Sequence, residues 1–399
     1  MYEYVRNFEK LGFGMFVHFG IYSVLGKGEW AKFHLSIPDE KYFPLAKKFK
    51  VKKNWARELV SVAKSSGCKY ITLTTRHHDG FSLYDTLGMN DYDAPHSAAG
   101  RDLVREFVDE CNRQGIVPFF YHTLVDWYNN DYENDFPKYN DYLIKSVEIL
   151  CTQYGKIGGF WFDGFWDKPK ADWQFDRLYA MIRSHQPEAM IINNTGMSDT
   201  GVVGHHEIDS VTYERGKPRV LKDSGRPVAG EMCQVFGDHW GYAKNDVSYK
   251  PLTRIITDLI NCRRNNCNFL MNVGPMGNGA LRPLEREMML EIGKFIKFNK
   301  GFIYDAKSSD ISAENAIMLK ASDGSYYAVS EVPNRISVEH PALDGKLFEV
   351  KVGAKIKKAS WVDNGKSIKV KNNSYTTVPF EYGTSMVYRV AKIEIEGDC

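Results

Sequence analysis

Residues 159–164 read Gly159-Phe160-Trp161-Phe162-Asp163-Gly164. Three large apolar side chains lead into a carboxylate and a glycine, which is the pattern of a short buried strand that ends in a turn. Seven further apolar runs of similar length lie before residue 300, with helical segments between several of them. The eight predicted strands cover residues 14–19, 70–75, 117–122, 159–163, 190–193, 210–214, 231–235 and 269–273. Strands that alternate with helices indicate parallel βα units, and eight such units favour a closed barrel.

The segments between the predicted strands repeat their apolar residues at helical spacing. One predicted helix buries the face formed by Leu103, Val104, Phe107, Val108 and Cys111. Two others have apolar faces within residues 143–154 and 288–296. The predicted fold class is therefore α/β, with a (β/α)8-like catalytic barrel of the TIM type over residues 1–300.

The pattern changes after residue 300 from helical spacing to a period of two, which is typical of half-buried strands. Phe348, Val350 and Val352 alternate with charged residues, and residues 368–371 alternate in the same way. The turn sequence Asp363-Asn364-Gly365 lies between such runs and predicts a hairpin. We expect residues 301–399 to form a C-terminal antiparallel β-sandwich with a supporting role, because this part holds no cluster of chemically useful residues.

The charge balance is nearly even, at 52 basic and 50 acidic residues. Nucleic-acid binding needs a concentrated basic field, so we expect no nucleic-acid partner. No segment has the length and hydropathy of a membrane span, so no membrane association is expected. The seven cysteines are scattered and odd in number, which indicates free thiols in a reducing compartment. Without a signal-like start, the chain is expected to be cytoplasmic as given, or secreted or periplasmic if a signal was removed.

Polar and aromatic residues gather where the predicted strands end. In parallel βα folds, ligands bind at the carboxyl ends of the strands, so the residues there are candidates for function. Aromatic faces beside polar groups suit a sugar, whose C–H faces stack on rings while its hydroxyl groups need hydrogen bonds. The residues concerned are His18, His77, His78, Asp79, Tyr121, His122, Asp163 and Glu214, with Glu29, Trp30, Asp126, Trp127, Asp238, His239 and Trp240 in the loops.

Asp163 is the first candidate for a reacting group, because it ends an apolar strand and the glycine after it lets a ligand approach closely. A carboxylate there can act as a nucleophile, whereas a helix N-cap or an ion pair would be a structural role. A glycosidase also needs a second carboxyl group, held protonated near neutral pH. Glu214 is the best placed for that role, and Glu207, Glu231 and Asp238 are its competitors.

Three other hypotheses compete with a glycosidase that uses Asp163 as its nucleophile. His18, His77 and Asp163 resemble the ligands of a metal-dependent barrel hydrolase, although no His-x-His pair ends the first strand and the set is rich in tryptophan. We therefore expect no metal and no cofactor. A non-catalytic sugar-binding protein would keep the aromatic residues but lack a catalytic carboxylate. An inverting glycosidase would hold its two carboxyl groups about 6.5–9.5 Å apart instead of about 5–5.5 Å.

Five blocks of sequence follow one another along the predicted barrel. They are Phe13-Gly14-Met15-Phe16-Val17-His18-Phe19-Gly20 with Gly28-Glu29-Trp30, Thr74-Thr75-Arg76-His77-His78-Asp79-Gly80-Phe81, Trp161-Phe162-Asp163-Gly164, His239-Trp240-Gly241-Tyr242 and Asn268-Phe269-Leu270-Met271-Asn272-Val273-Gly274-Pro275. In this order, they resemble the family 29 glycoside hydrolases, the α-L-fucosidases. The paired histidines followed by Asp-Gly-Phe are the most distinctive block, and a C-terminal β-sandwich also fits the layout of the family.

The resemblance implies a retaining exo-α-L-fucosidase that acts on fucosylated oligosaccharides or glycoconjugates. Asp163 would attack the anomeric carbon and form a fucosyl-enzyme ester, which water then hydrolyses. Trp240 would face the C6 methyl group of the sugar, and Trp161 would line the floor of the site. The residues that would bind the sugar's polar groups are His18, Glu29, Trp30, His77, His78 and Tyr121.

The acid/base differs between branches of the resembled family. Residues 204–216 resemble one bacterial branch, and matching Asp209, Thr212 and Glu214 to that branch implies that Glu214 is the acid/base. Thr195 stands where many members place a sugar-binding arginine, so the chain departs from the family pattern of contacts to the rest of the substrate at this position. The linkage, the natural aglycone, transfucosylation and the oligomeric state, with a homo-oligomer among the options, stay open.

Overall fold

The structure, a computed structural model, describes residues 1–194, 202–219, 226–331 and 349–397. Its first part is a closed barrel of eight parallel strands that follow one another in chain order, which confirms the predicted (β/α)8-like barrel. All eight predicted strands are present, and their ends differ from the prediction by at most two residues. The strands are β1 (Phe13–Val17), β2 (Tyr70–Arg76), β3 (Val117–Thr123), β4 (Gly159–Asp163), β5 (Met190–Asn193), β6 (Ser210–Glu214), β7 (Ala229–Val235) and β8 (Cys267–Val273).

The first strand ends two residues earlier than predicted, at Val17. The N–H of Phe19 donates to Thr74 Oγ1 at 2.9 Å instead of to a strand carbonyl. The chain therefore turns away from the sheet directly after His18, and this histidine lies at the carboxyl end of β1.

The interior of the barrel is filled by aromatic side chains. Tyr121 on β3 and Trp161 on β4 are register partners, and their rings stack with 5.7 Å between centroids. Phe16 on β1 lies 5.2 Å from Trp161, and Tyr70 on β2 belongs to the same buried cluster. Because these rings fill the barrel, a ligand can be bound only above them, at the carboxyl ends of the strands.

The described residues contain eleven α-helices. The predicted face of the helix after β2 is buried, and Asp102 caps that helix by accepting the N–H of Arg105 at 2.9 Å. Gly115, at a φ of +72°, ends it. The helices are α1 (Glu3–Leu11), α2 (Tyr22–Leu25), α3 (Ala31–His34), α4 (Asp39–Tyr42), α5 (Trp55–Ser65), α6 (Leu103–Gln114), α7 (Asp131–Asn134), α8 (Phe136–Gln153), α9 (Phe175–His185), α10 (Leu252–Arg264) and α11 (Pro283–Phe298).

The last part of the chain holds two antiparallel sheets, which confirms the predicted C-terminal β-sandwich. One sheet has the order β10-β13-β15 and the other the order β14-β16-β12-β11-β9. Their buried core includes Val350, Trp361, Tyr375 and Ile393. The strands are β9 (Lys307–Ser308), β10 (Ala313–Glu314), β11 (Ile317–Lys320), β12 (Tyr326–Glu331), β13 (Glu349–Val352), β14 (Ile356–Trp361), β15 (Ser374–Thr376) and β16 (Tyr388–Ile395).

The predicted hairpin turn follows β14. The N–H of Gly365 donates to the carbonyl of Trp361 at 2.8 Å, and the φ of Gly365 is +73°. Residues 368–371 run on as a partly paired segment, in which Ile368 and Val370 are half-buried against the core. Phe348, which the same alternating pattern included, lies outside the described residues.

The chain divides into two compact units. One contains Met1–Lys250 and Asn268–Leu290, and the other contains Pro251–Cys267 and Glu291–Cys399. A functional boundary between residues 1–300 and 301–399 stays a prediction. Within the described ranges, none of the helices has the length and apolar character that crossing a membrane requires.

Candidate active site

A cavity of about 200 Å³ opens at the carboxyl ends of the barrel strands. Nine of the ten predicted site residues line it, and Glu29 is the exception. Because the nine come from loops and strands that are far apart in sequence, the barrel itself brings them together. The lining residues are Phe16, His18, Trp30, His77, His78, Tyr121, Trp161, Asp163, Trp166, Glu214, Cys233 and Trp240.

Asp163 ends β4 and faces this cavity with its carboxylate partly exposed. Tyr121 donates its hydroxyl to Oδ2 at 2.9 Å, and His78 Nε2 lies 3.5 Å from the same oxygen. The other oxygen, Oδ1, accepts the indole N–H of Trp166 at 3.4 Å and an amide N–H of Asn194 at 3.3 Å. The carboxylate is therefore held in one orientation by donors on several sides.

Glu214 lies across from Asp163 at the end of β6. Its Oε2 accepts an amide N–H of Asn194 at 2.8 Å, from the nitrogen that also contacts Asp163 Oδ1. The sum of those distances limits the separation of Asp163 Oδ1 and Glu214 Oε2 to at most about 6 Å, which is compatible with the about 5–5.5 Å spacing of retaining glycosidases. Burial, and then the negative charge of Asp163, raise the pKa of Glu214 to about 7.

The three competitors of Glu214 have different surroundings. Glu207 forms an ion pair with Arg183 at 2.9 Å, which lowers its pKa, so it is a poor proton donor near neutral pH. Asp238 is exposed to solvent and does not line the cavity. Glu231 is buried in the barrel interior and accepts the Trp161 indole N–H at 3.0 Å, together with the hydroxyl of a neighbouring tyrosine. Among the four candidates, Glu214 is the one that lines the cavity.

His18 is held as a neutral acceptor by a short hydrogen-bond chain. Asn272 donates its amide N–H to the Trp240 carbonyl at 2.7 Å, which turns its Oδ1 towards His18 Nδ1, also at 2.7 Å. Nδ1 must therefore carry the proton. Burial lowers the pKa of His18 to about 3, so the ring is neutral and its Nε2 offers a lone pair.

His78 is fixed in the same tautomer by a threonine. The hydroxyl of Thr123 donates to the Val125 carbonyl at 2.8 Å, so its oxygen must accept the N–H from His78 Nδ1 at 2.7 Å. Burial lowers the pKa of His78, against the opposing effect of Asp163. Nε2 and the carboxylate of Asp163 are then two acceptors that face each other at 3.5 Å, a pair that suits a donating hydroxyl group of a ligand.

His77 and the aromatic residues form the walls and floor of the cavity. The ring of His77 stacks on Tyr121 at 5.5 Å, and burial lowers the pKa of His77 well below its usual range. Trp161 uses its N–H to bind Glu231, so it offers only its ring to the cavity. Trp30 packs against His78 and Trp166 at 5.1 and 5.6 Å.

Trp240 forms the wall beside Glu214 and His18. Its ring lies 5.2 Å from the ring of His18, and the guanidinium of Arg215 lies 5.0 Å above it. Arg215 also donates to the Asp238 carbonyl at 2.8 Å, which fixes this cation over the indole.

Glu29 is buried outside the lining of the cavity. Its Oε2 accepts the N–H of Gly241 at 2.8 Å, and burial raises its pKa. In this arrangement Glu29 supports the loop that carries Trp240, and the predicted contact of Glu29 with the sugar stays a prediction.

Four residues of the site were not singled out from the sequence for the site. Asn194 and Trp166 follow the ends of β5 and β4, so the rule that ligands bind at strand ends would have pointed to both. Phe16 and Cys233 lie inside strands, and no sequence signal distinguishes them from core residues. Thr195, which stands where an arginine was expected, lies outside the described residues.

Outside the cavity, the described part of the chain brings Asp176, His205 and His206 within ligand distance of one another. His205 Nδ1 accepts the N–H of Glu207, so its Nε2 carries the proton and donates to Asp176 at 3.1 Å. That arrangement leaves His205 no lone pair for a cation.

The chain is similar to known α-L-fucosidases. The sequence model of the α-L-fucosidase family matches residues 2–301. The tissue α-L-fucosidase of Bos taurus is 26% identical over 358 residues, which cover 81% of this chain and 74% of that protein. The α-L-fucosidase of Dictyostelium discoideum is 25% identical and covers 74% of this chain and 70% of its own length.

Solved structures have the same fold. Alpha-L-fucosidase isoenzyme 1 from Paenibacillus thiaminolyticus superposes with a TM-score of 0.86 at 26% identity, and the match covers 99% of both chains. An α-L-fucosidase from Bacteroides thetaiotaomicron, solved as a trapped covalent intermediate with 2-fluoro-fucosyl fluoride, has a TM-score of 0.83 at 23% identity. That match covers 100% of this chain and 97% of the other.

Proposed function

Because the chain belongs to the α-L-fucosidase family of glycoside hydrolases, we propose that it is a retaining exo-enzyme that removes terminal α-L-fucosyl residues. In this proposal Asp163 is the nucleophile and Glu214 is the acid/base. The observation that carries it is the single amide nitrogen that contacts both carboxylates, because it limits the separation of Asp163 Oδ1 and Glu214 Oε2 to at most about 6 Å. A separation within this limit suits direct attack by Asp163, because retaining glycosidases hold their two carboxyl groups about 5–5.5 Å apart.

In the first step, a carboxylate oxygen of Asp163 attacks the anomeric carbon and the glycosidic C–O bond breaks. Glu214 gives its proton to the departing oxygen. A pKa of about 7 leaves a large protonated fraction at neutral pH, as a general acid requires. The product of this step is a fucosyl ester of Asp163.

In the second step, the ionised Glu214 takes a proton from a water molecule, which attacks the same carbon and releases Asp163. The negative charge of Asp163 is one cause of the raised pKa of Glu214. Formation of the ester removes this charge and so lowers the pKa of Glu214, which favours its ionised form when a base is needed.

Recognition of the sugar follows from the acceptors and rings of the cavity. The lone pairs of His18 Nε2 and His78 Nε2 suit donating hydroxyl groups. Trp240 offers an apolar face for the C6 methyl group, and Trp161 offers its ring as the floor. A methyl group in an apolar pocket gives only about 1–3 kcal/mol of discrimination, so slow turnover of the α-L-galactoside is expected.

The trapped intermediate of the Bacteroides thetaiotaomicron protein supports the two-step reaction, because that protein of similar fold forms a covalent bond with its sugar. The natural substrates proposed for the present chain are fucosylated oligosaccharides or glycoconjugates.

The test is hydrolysis of an aryl α-L-fucoside, with the α-L-galactoside and the β-D-fucoside as controls and with EDTA present. Turnover chiefly of the α-L-fucoside is expected, and the first sugar released should be the α-anomer when followed by NMR. Initial release of the β-anomer would contradict retention. Loss of activity in EDTA would favour the metal-dependent hydrolase, and no turnover of any substrate would favour a sugar-binding protein.

A further inference from the structure

Asn194 is the residue that connects the two carboxylates of the site. It follows directly after β5 and is almost fully buried, with 1% of its surface exposed. Its amide nitrogen lies 2.8 Å from Glu214 Oε2 and 3.3 Å from Asp163 Oδ1. Because a primary amide carries two protons, it can donate one to each carboxylate.

The orientation of this amide is fixed from its other side. Thr212 on β6 donates its hydroxyl to Asn194 Oδ1 at 3.1 Å. A hydroxyl group can donate to an amide oxygen but an amide nitrogen cannot accept, so this bond prevents the amide from turning over. Asn194 therefore presents nitrogen, and not oxygen, to both Asp163 and Glu214.

This contact also decides which oxygen of Glu214 carries the proton. Oε2 already accepts the amide N–H, so protonation at Oε2 would compete with a hydrogen bond of 2.8 Å. The proton is better placed on Oε1, the oxygen without this donor.

We infer that Asn194 is a positioning residue, which fixes the spacing of Asp163 and Glu214 and directs the acidic proton of Glu214 to Oε1. The inference rests on the proposed function, because the proton has a role only if Glu214 acts as the acid/base. It goes further, because it assigns the geometry of proton transfer to a residue outside the two reacting groups.

The groups around Glu214 determine how its titration responds. Burial and Asp163 raise its pKa, whereas the donated N–H of Asn194 and the charge of Arg215 lower it. A variant without the amide loses a donor that favours the ionised form, so the pKa of Glu214 should rise. The titratable groups that face Glu214 from the packed elements are Asp163 on β4, Tyr121 on β3, Cys233 on β7, Glu29 between α2 and α3, and Arg215 next in the chain.

The experiment measures kcat/KM against pH for Asn194→Ala and the wild type, with aryl α-L-fucosides whose leaving groups range from good to poor. The decline of kcat/KM at high pH, which is the basic limb of the profile, reports the loss of the Glu214 proton. In the variant this limb should move to higher pH by about one unit. At a pH where Glu214 is protonated in both proteins, kcat/KM of the variant should be about tenfold below that of the wild type for the poorest leaving group. The loss should be smaller for the best leaving group, because the proton of Glu214 is no longer directed.

Two further variants separate positioning from folding. Thr212→Val removes the hydroxyl that orients the amide and should shift the limb in the same direction by a smaller amount. Asn193→Ala is the matched control, because Asn193 is the same residue type one position earlier and its amide donates to the Tyr179 hydroxyl at 2.8 Å. Its basic limb should stay at the wild-type pH, even if its melting temperature falls.

A wild-type basic limb and an unchanged dependence on the leaving group in Asn194→Ala would overturn the inference. Failure of the proposed function would look different. In that case Glu214→Ala would itself show no selective loss on poor leaving groups, whereas failure of the inference alone would leave that pattern of Glu214→Ala intact.

Discussion

The cavity and the barrel interior beneath it each hold a glutamate whose pKa is raised to about 7: the half-buried Glu214 on β6 and the fully buried Glu231 on β7. They lie on neighbouring strands, but at different heights. Glu231 is the register partner of Thr212, whereas Glu214 pairs with Cys233. Glu231 is thus two residues, or about 7 Å, deeper in the barrel.

The surroundings of the two glutamates separate their roles. Both oxygens of Glu231 accept hydrogen bonds, from Tyr70 and from Trp161, and Glu231 itself does not line the cavity. Glu214 lines the cavity and faces Asp163 across it. Burial raises both pKa values, so a raised pKa alone does not identify an acid/base. The acid/base is identified by its access to the cavity in which the sugar would bind.

Replacement of the nucleophile should have the largest effect. Asp163→Asn keeps the shape of the side chain but cannot form the fucosyl ester, so kcat should fall by at least about 10⁴-fold. Steady-state turnover of an aryl α-L-fucoside measures this, and an unchanged melting temperature controls for folding. Near-wild-type activity in this variant would remove Asp163 from the mechanism.

Loss of the acid/base should come next. Glu214→Ala should lose roughly 10²–10⁴-fold on poor leaving groups and much less on activated aryl fucosides. Added azide should restore rate by entering the space of the lost carboxyl group and should give α-fucosyl azide. Glu231→Gln is the matched control and should show neither the leaving-group pattern nor rescue. Rescue by azide in Glu231→Gln instead would make Glu231 the acid/base. Rescue in Glu207→Ala would assign that role to Glu207.

The pH profile asks which of the two glutamates titrates in the reaction. Glu214 must be protonated in the free enzyme, so kcat/KM should fall as the pH rises through about 7, by up to about tenfold per unit. The Glu231→Gln variant should keep this basic limb, and Glu214→Gln should lack it. Disappearance of the basic limb in Glu231→Gln would contradict the assignment of this limb to Glu214.

Trp161 links the two regions, because its ring lines the cavity and its N–H binds Glu231. Trp161→Phe keeps an aromatic floor but leaves a buried oxygen of Glu231 without its donor, which should lower the unfolding free energy by about 1–3 kcal/mol. Chemical denaturation measures this loss. KM should rise only a few-fold, with the basic limb unchanged, whereas a shifted limb would mean that Glu231 and Glu214 are coupled.

The sequence was sufficient for the barrel, because each strand is a short apolar run and the helices between them repeat at another spacing. It also predicted that His18, His77, His78, Tyr121 and Asp163 meet, since parallel strands end on one face of the sheet. These strand ends form the cavity of the structure.

The sequence alone was less able to identify the acid/base among the acidic candidates. The register of β6 against β7 sets the depth of Glu231 below Glu214, and register depends on pairing across the whole barrel. The ion pair of Glu207 with Arg183 joins residues 24 positions apart and has no local pattern. The contact of the Asn194 amide with both Asp163 and Glu214 depends on side-chain orientations at the ends of three strands, and a single sequence does not reveal these orientations.

The central claim, that Asp163 carries the sugar between the two steps, is tested most directly by trapping. The wild type is incubated with 2-fluoro-fucosyl fluoride, and intact mass and peptide mapping locate the adduct. One fluorofucosyl unit per chain on the peptide that contains Asp163, absent in Asp163→Asn, is the predicted result. An adduct on another residue of a fully active preparation, or no adduct while substrate turnover continues undiminished, would contradict the account.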